Sequence, residues 1–210
     1  LRNRTVYADF DKFYQNVFAG GPVDGATGLV PLAAYNAEQL RENVFNQTDL
    51  TFSTETGSIG HEFLVGVELG EQTTENQRMT GLFNGTDSAI FVPASDPMVS
   101  VPVAFAPTAT DATNRGRATI AALYVQDQIR FTPNWLAVVG LRYDSFDMDF
   151  TDRRGEGVRI ETSDDLVSPR GGLIYKPAEN VSLYASYSMT YVPRSGAQLA
   201  SLTPTNAAFD

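Results

Sequence analysis

The chain has 210 residues, a net charge of −10 and a pI near 4.5, and it contains no cysteine and a single histidine. This composition excludes disulfide frameworks and thiolate metal sites, and it leaves little for a histidine-based metal or catalytic site. Phosphate binding needs clustered lysine and arginine, so nucleic acid is not an expected partner of so acidic a chain.

Glycine and aromatic residues favour strands and turns here, with 17 Gly, 13 Phe and 9 Tyr. The longest apolar run near the centre, residues 135–141, is far shorter than the roughly 18 to 20 residues that a membrane-spanning helix needs. Any membrane role must therefore be carried by strands. Because the chain opens without an initiator methionine or an apolar leader, we expect it to be part of a longer protein.

The first 42 residues predict one strand and then a long connection. In residues 1–18, Val6, Ala8 and Phe10 alternate with polar neighbours, as in a strand with one apolar face. Glycine and proline then recur, so residues 20–42 are predicted to form a loop with at most one short helical turn near its end.

Two further strands follow, joined by a tight turn at Gly57. Residues 44–54 and 61–69 both alternate with period two. Residues 72–115 then lose this pattern and are predicted to be the longest loop. A loop of this length is uncommon in a compact soluble domain, but it is typical of one end of an outer-membrane barrel.

Residues 118–144 carry the clearest hairpin of the sequence. Alternate residues of a strand face the same side of a sheet, and here one side is apolar and the other polar. The apolar set contains Leu123, Val125, Val139 and Leu141, with Asp127 as an exception, and the polar set contains Gln126, Gln128 and Arg142; we call membership of one set or the other the parity of a residue. The tryptophan, Trp135, starts the second strand beside a proline-containing turn. Long strands with aromatic ends and an apolar band between them suit a lipid-facing barrel wall.

The rest of the chain repeats this arrangement. Residues 147–164 are predicted to form a charged loop, a hairpin about Glu179 is expected to follow, and residues 193–210 are predicted to form a last loop. The predicted fold class is all-β: an antiparallel meander of about seven long strands, with long connections at one end and tight turns at the other. Helix is expected to be scarce.

Four strings carry a family resemblance: NQTDLTF, HEFLVGVELG, ALYVQDQIRFTPNWLAVVGLRYD and SPRGGLIYKPAENVSLYASYS. In this order, over roughly residues 43–192, they resemble the barrel of TonB-dependent siderophore receptors of the bacterial outer membrane. The resemblance implies a 22-stranded transmembrane barrel closed by a plug domain, with outer-membrane lipid around it and ferric siderophores as its cargo. Neither a plug nor a TonB box is matched, so we expect a barrel segment that meets TonB only through other parts of the receptor.

The resemblance places cargo recognition at the end with the long connections. A ferric siderophore is often an anionic chelate with aromatic or polar arms, which aromatic rings and arginines can hold. The candidate substrate-binding residues are Arg78, Phe83, Phe91, Arg115, Tyr191 and Arg194. Each of them could instead pack its loop locally.

Other chemistry is weakly indicated. The acidic run at residues 144–152 could surround Ca²⁺, but it lacks the glycine and glutamate of an EF-hand loop, which favours a strand that continues into a solvated loop. Arg142 and Arg170 could line an anion path, or pair with Asp144, Asp127 or Glu68 across strands, which is the favoured interpretation. No nucleophile, base and oxyanion set converges, so we expect no enzyme activity, metal or cofactor.

The main alternative is a soluble β-rich binding module that buries its apolar face in a core or by self-association. An isolated segment would have two unpaired edges, and we expect it to self-associate. The two interpretations differ in whether protein covers the apolar face, which is represented by Leu123, Val125, Val139, Leu141, Leu183 and Tyr187.

Overall fold

The computed structural model describes residues 1–155 and 157–191, and these form nine strands. Within those ranges there is no helix with the length and apolar character needed to cross a membrane. The strands are β1 (Arg2–Ala19), β2 (Leu29–Thr56), β3 (Ile59–Phe83), β4 (Ala89–Pro93), β5 (Val103–Ala106), β6 (Thr113–Arg130), β7 (Trp135–Asp152), β8 (Val158–Ala178) and β9 (Val181–Ser188).

The seven long strands lie side by side in chain order, β1-β2-β3-β6-β7-β8-β9, and every neighbouring pair is antiparallel. Strands β4 and β5 belong to the connection between β3 and β6, and they pair with β2 and β3. Tight turns follow β2, β6 and β8, where Gly57, Pro133 and Glu179 predicted them. The predicted all-β meander is therefore confirmed.

The strands are longer than predicted, because they continue through most of the predicted loops. The loops concerned are residues 20–42, 72–115 and 147–164. Of their described residues, only 20–28, 84–88, 94–102, 107–112, 153–155 and 157 lie outside strands. No helical turn forms in β2. These parts of the strands were missed because apolar and polar residues alternate only where the two faces of a strand meet different surroundings. Backbone pairing does not depend on that alternation: the β2–β3 ladder runs unbroken from Ala34 opposite Gly81 to Thr56 opposite Ile59. The last predicted loop, 193–210, lies outside the described residues.

The sheet has an apolar and a polar face in β6 and β7, and the parity predicted for these two strands is confirmed. In β1 the predicted apolar set, Val6, Ala8 and Phe10, lies on the side of Gln47 and Tyr124 instead, since Val6 lies opposite Phe45. Val125 lies opposite Leu141 on one face, and Tyr124 lies opposite Arg142 on the other. We call these the apolar face and the polar face. Leu123 is 58% exposed and its neighbour Tyr124 only 8%, so the polar face is the sheltered side of the sheet.

The apolar face is not covered by the described part of the chain. The residues that discriminate the two interpretations, Leu123, Val125, Val139, Leu141, Leu183 and Tyr187, are between 43 and 66% exposed. A module that buries this face in its own core is therefore not what these residues form. Strands β1 and β9 each stand at an edge of the sheet, and self-association through those edges stays a prediction.

Aromatic pairs border the apolar band near the tight turns. Trp135 stacks on Tyr175 with ring centroids 4.4 Å apart, and Phe52 stacks on Phe63 at 5.1 Å. Asp127, the polar exception among the residues of the apolar face, shares a hydrogen bond of 2.7 Å with His61 Nδ1 through its Oδ2. Aromatic girdles at the ends of an apolar band are typical of transmembrane barrels.

A small hydrophobic core lies beyond the other end of the band. It consists of Val30, Leu32, Ala34, Phe83 and Val92, and Phe83 is completely buried. It is built where residues 29–33 of β2 pair with β4 and residues 80–83 of β3 pair with β5. We call these paired segments and the chain between them the extension. Its own core means that the extension is a folded unit of the long-connection end.

Candidate functional site

Aromatic rings and cations meet on the polar face just below the extension. The guanidinium of Arg78 lies 4.2 Å from the Tyr35 ring centroid, and Tyr14 and Phe18 contact Tyr35 edge-on, each with centroids 5.5 Å apart. Lys12 Nζ lies 5.4 Å from the Tyr14 centroid. We call these five residues the aromatic–cation cluster. Cations over the faces of aromatic rings are attracted by the ring quadrupole.

Strand register assembles this cluster from three strands. Tyr14 lies opposite Ala37, and Ala37 lies opposite Arg78, so β1, β2 and β3 contribute side chains at one level. Tyr35 shares the parity of Gln47, whose Nε2 donates to the Tyr124 hydroxyl on the polar face. The cluster therefore faces the sheltered side of the sheet. A side-chain hydrogen bond with Tyr35 raises the pKa of the Tyr14 hydroxyl.

Asp111 holds Arg78 in this position. Its side chain is 4% exposed and lies 3.6 Å from Arg78 Nε. The backbone N–H groups and hydroxyls of Thr80 and Thr108 all donate to its carboxylate, at 2.9 to 3.0 Å. The residue thus ties the segment before β6 to the end of β3 and offers Arg78 a negative partner.

Polar side chains line a cleft next to the cluster, which has a volume of about 220 Å³. Gln39 Nε2 donates to Asn76 Oδ1 at 2.7 Å, and Asn76 Nδ2 donates to Asn114 Oδ1 at 2.8 Å. Lys12, Tyr14 and Arg78 also line it. The cleft therefore offers cationic, aromatic and amide groups to the same bound molecule.

Further along the polar face, the predicted pairing of Arg142 is confirmed. Its Nε donates to Asp144 at 2.8 Å, and its Nη2 donates to Glu68 on β3 at 3.1 Å. The guanidinium also lies 5.5 Å from the Tyr124 ring centroid. This arginine is therefore neutralised by its neighbours, as the cross-strand interpretation predicted.

The acidic run does not converge on one point. Asp144 faces the polar side with Arg142, whereas Asp149 has the opposite parity and pairs with Arg159. Asp152 pairs with Arg154, and that hydrogen bond lowers the pKa of the Asp152 carboxyl. In the described part of the chain, no group of three or more histidine or acidic side chains is arranged to hold a metal ion.

The predicted site residues occupy four different environments. Arg78 belongs to the aromatic–cation cluster, and the rings of Phe91 and Tyr191 are 68 and 44% exposed. Phe83 is fully buried in the core of the extension, because β4 and β5 close over it. Arg115 has the parity of Leu123, so it points away from the polar face and lies 3.5 Å from Glu75. Arg194 lies outside the described residues.

Four members of the cluster were not predicted from the sequence: Lys12, Tyr14, Phe18 and Tyr35. Tyr35 fell in a predicted loop, so its parity was not considered. The available signal was the run Tyr35, Ala37, Gln39 and Arg41, which continues the parity of Gln47 toward the amino-terminal end of β2.

Acid should loosen the segment before β6, which Asp111 ties to β3. Burial opposes ionisation of this carboxyl, but the hydrogen bonds from Thr108 and Thr80 outweigh burial and hold its pKa below the ordinary value of 3.8. A depressed pKa stabilises the folded form above the ordinary value, and that stability is lost as the pH falls through the folded pKa. We expect proteolysis of the segment before β6 to be constant above about pH 5 and to increase below about pH 4. The Asp111→Asn variant should be cleaved readily at every pH; resistance equal to the wild type would contradict this role.

Comparison with known proteins agrees with this architecture. The family model described as "TonB dependent receptor-like, beta-barrel" matches residues 1–210. The chain is 29% identical over 159 residues to the metal-pseudopaline receptor CntO of Pseudomonas aeruginosa, which covers 73% of this chain and 22% of that protein. It is 27% identical over 187 residues to the probable TonB-dependent siderophore receptor PiuA of Acinetobacter baumannii, covering 79% and 24%.

Solved structures share the fold. The crystal structure of the siderophore receptor PiuA from Acinetobacter baumannii superposes with a TM-score of 0.77 at 21% identity, over 99% of this chain and 32% of that one. The closed form of the ferric-catecholate import receptor Fiu from Escherichia coli gives a TM-score of 0.75 at 21% identity, over 96% and 32%.

The chain spans about a quarter of the length of the curated relatives that it matches. The family consists of receptors and transporters of the bacterial outer membrane, and its barrel model covers the whole of this chain. This chain therefore belongs to the TonB-dependent receptor family and is part of its outer-membrane β-barrel.

Proposed function

We propose that this chain contributes to TonB-dependent uptake of ferric siderophores as part of a barrel wall, and that it recognises them at the aromatic–cation cluster. The polar face would line the lumen of the complete barrel, and the apolar face would contact outer-membrane lipid. TonB would act through parts of the receptor other than this wall. The names of the relatives, among them siderophore and metal-pseudopaline receptors, support this class of cargo.

The observation that carries the proposal is the position of Arg78. Its side chain is 45% exposed, lies over Tyr35 and is held from behind by Asp111. A cation that is fixed in place and still accessible can bind an anionic chelate without first losing much side-chain entropy. The tyrosine rings beside it offer stacking surfaces to aromatic arms of the same chelate.

One more of the predicted residues fits this arrangement as an outer contact. Phe91, on β4 of the extension, presents an exposed ring at the long-connection end. Tyr191, after β9, lies elsewhere on the polar face, where it lines a cleft together with Tyr124 and Arg142. Phe83 and Arg115 are outside the proposed contact set because one is buried and the other faces away.

Removing the charge of Arg78 tests the proposal. In the complete receptor, Arg78→Gln should weaken binding of a ferric tris-catecholate about tenfold, the effect of losing about 1.4 kcal/mol of cation–π and charge-assisted contact. The same measurement with a neutral ferric trihydroxamate, the second chelate of the panel, shows whether the loss of affinity depends on the charge of the chelate. Affinity is measured by quenching of intrinsic fluorescence in detergent.

Arg117→Gln provides the matched control. Arg117 is equally cationic, but it has the parity of the apolar face and donates to Glu71 at 2.7 Å. This control should keep wild-type affinity. If the two variants bind every chelate of the panel equally well, the cluster is not the recognition site.

A further inference from the structure

Two neighbouring arginines of the polar face have different surroundings. Arg142 on β7 is bound by Asp144 and Glu68. Arg170 on β8 shares the same face, since it lies opposite Gly140, two residues before Arg142. Yet Arg170 forms no ion pair with any residue in 1–155 or 157–191. The favoured pairing of the sequence analysis thus holds for one arginine and not for the other.

Gly140 makes room for the Arg170 side chain. A Cβ at Gly140 would lie 2.8 Å from Arg170 Nε and 3.1 Å from its Cγ. The side chain therefore lies close to the β7 backbone at a position that has no side chain of its own. This close fit restricts where the guanidinium can go.

The surroundings of Arg170 supply neutral donors. Ser188 lies opposite it on β9, and Ser168 precedes it by two residues on the same face. The three side chains line a cleft of about 630 Å³ together with Tyr124 and Arg142. The carboxylate of this cleft, Asp144, is already engaged by Arg142. Within the described residues, Arg170 is thus a cation without an ion-pair partner and with hydroxyls beside it, an arrangement that suits an anionic oxygen group.

We propose that Arg170, with Ser168 and Ser188, forms an anion-binding site on the polar face, distinct from the aromatic–cation cluster, that accepts an anionic oxygen group. The proposal rests on the proposed function only in that the polar face lines the barrel lumen. Catecholate or carboxylate oxygens of a chelate would satisfy it, and so would a carboxylate side chain from another part of the receptor. A guanidinium binds either in the same planar geometry.

Arg170→Gln in the complete receptor tests the site, with Arg117→Gln as the charge-matched control and ferric tris-catecholate as the probe. If the chelate supplies the anion, its affinity should fall about tenfold while the melting temperature of the chelate-free receptor stays unchanged. If the receptor supplies the anion, the melting temperature should fall and the affinity should stay. Arg170→Lys, which keeps the charge but loses the fork, should recover part of either effect.

The site is refuted if Arg170→Gln matches the control in both measurements. If the unmodified receptor does not bind the tris-catecholate, the affinity measurement is repeated with a ferric carboxylate chelate. If neither chelate binds, a chelate with such oxygens is excluded as the source of the anion and the melting temperature decides. Arg78→Gln measured in parallel separates the two proposals: an effect of Arg170→Gln without one of Arg78→Gln leaves this site standing and removes the aromatic–cation cluster.

Discussion

Truncating Phe83 to alanine is expected to unfold the extension while leaving the long strands paired. The ring is completely buried among Val30, Leu32, Ala34 and Val92. Removing a buried phenylalanine side chain costs about 3–5 kcal/mol, because apolar contacts are lost and a cavity remains. A core this small has little other stability to offset that loss.

Limited proteolysis of the complete receptor measures this effect. The segment between β4 and β5 should become rapidly cleavable in Phe83→Ala, and chelate binding should weaken because Arg78 and Tyr35 lie directly below the extension. Phe91→Ala removes the same ring from a side chain that is 68% exposed, so its proteolysis should match the wild type. Equal protease resistance of the two variants would show that Phe83 does not hold the extension together.

Adding one methyl group at Gly66 is expected to disturb the barrel wall itself. A Cβ at this position would lie 2.2 Å from the Tyr124 ring, which no packed structure tolerates. The ring would have to leave its place, and its hydroxyl would lose the bonds with Asp49 and Gln47. Overpacking costs about 1–3 kcal/mol, and the broken buried hydrogen bonds add about 1–3 kcal/mol.

The loss of stability can be followed by the melting temperature of the folded receptor in detergent. Gly172→Ala is the control, because a Cβ there meets its nearest atoms at 3.6 and 3.7 Å, which is ordinary contact. The Tyr124→Ala background tests the cause: without the ring, Gly66→Ala should no longer lower the melting temperature. A penalty that persists in that background would mean that Tyr124 is not what the glycine accommodates.

The parts of the fold that sequence predicted are those where the two faces of a strand meet different surroundings. Leu123, Val125, Val139 and Leu141 alternate with polar residues because lipid and lumen differ, so parity and pairing could both be read. In residues 29–42 of β2 this contrast fades, and glycine and proline nearby favoured a loop. Strand structure there depends on pairing with β1, β3 and β4, which lie far away in the chain.

For the candidate site, the sequence indicated one end of the sheet but few of the residues that meet there. The long-connection end and Arg78 were expected from the chemistry of the cargo. Whether a phenylalanine of that end is exposed or buried is decided by tertiary pairing, so Phe83 and Phe91 looked alike in sequence and differ completely in structure. Tyr14, Tyr35 and Arg78 meet only through strand register, which local sequence does not reveal.

Equilibrium binding of a ferric chelate to the complete receptor and its Tyr35→Leu variant tests the central proposal most directly. Tyr35 contacts Arg78, Tyr14 and Phe18, so losing its ring removes the centre of the aromatic–cation cluster, whereas Tyr143→Leu makes the same change on the apolar face. With a chelate that the unmodified receptor imports, we expect Tyr35→Leu to bind about tenfold more weakly and Tyr143→Leu to bind normally. Unchanged affinity in Tyr35→Leu, with the extension still resistant to protease, would contradict recognition at this cluster.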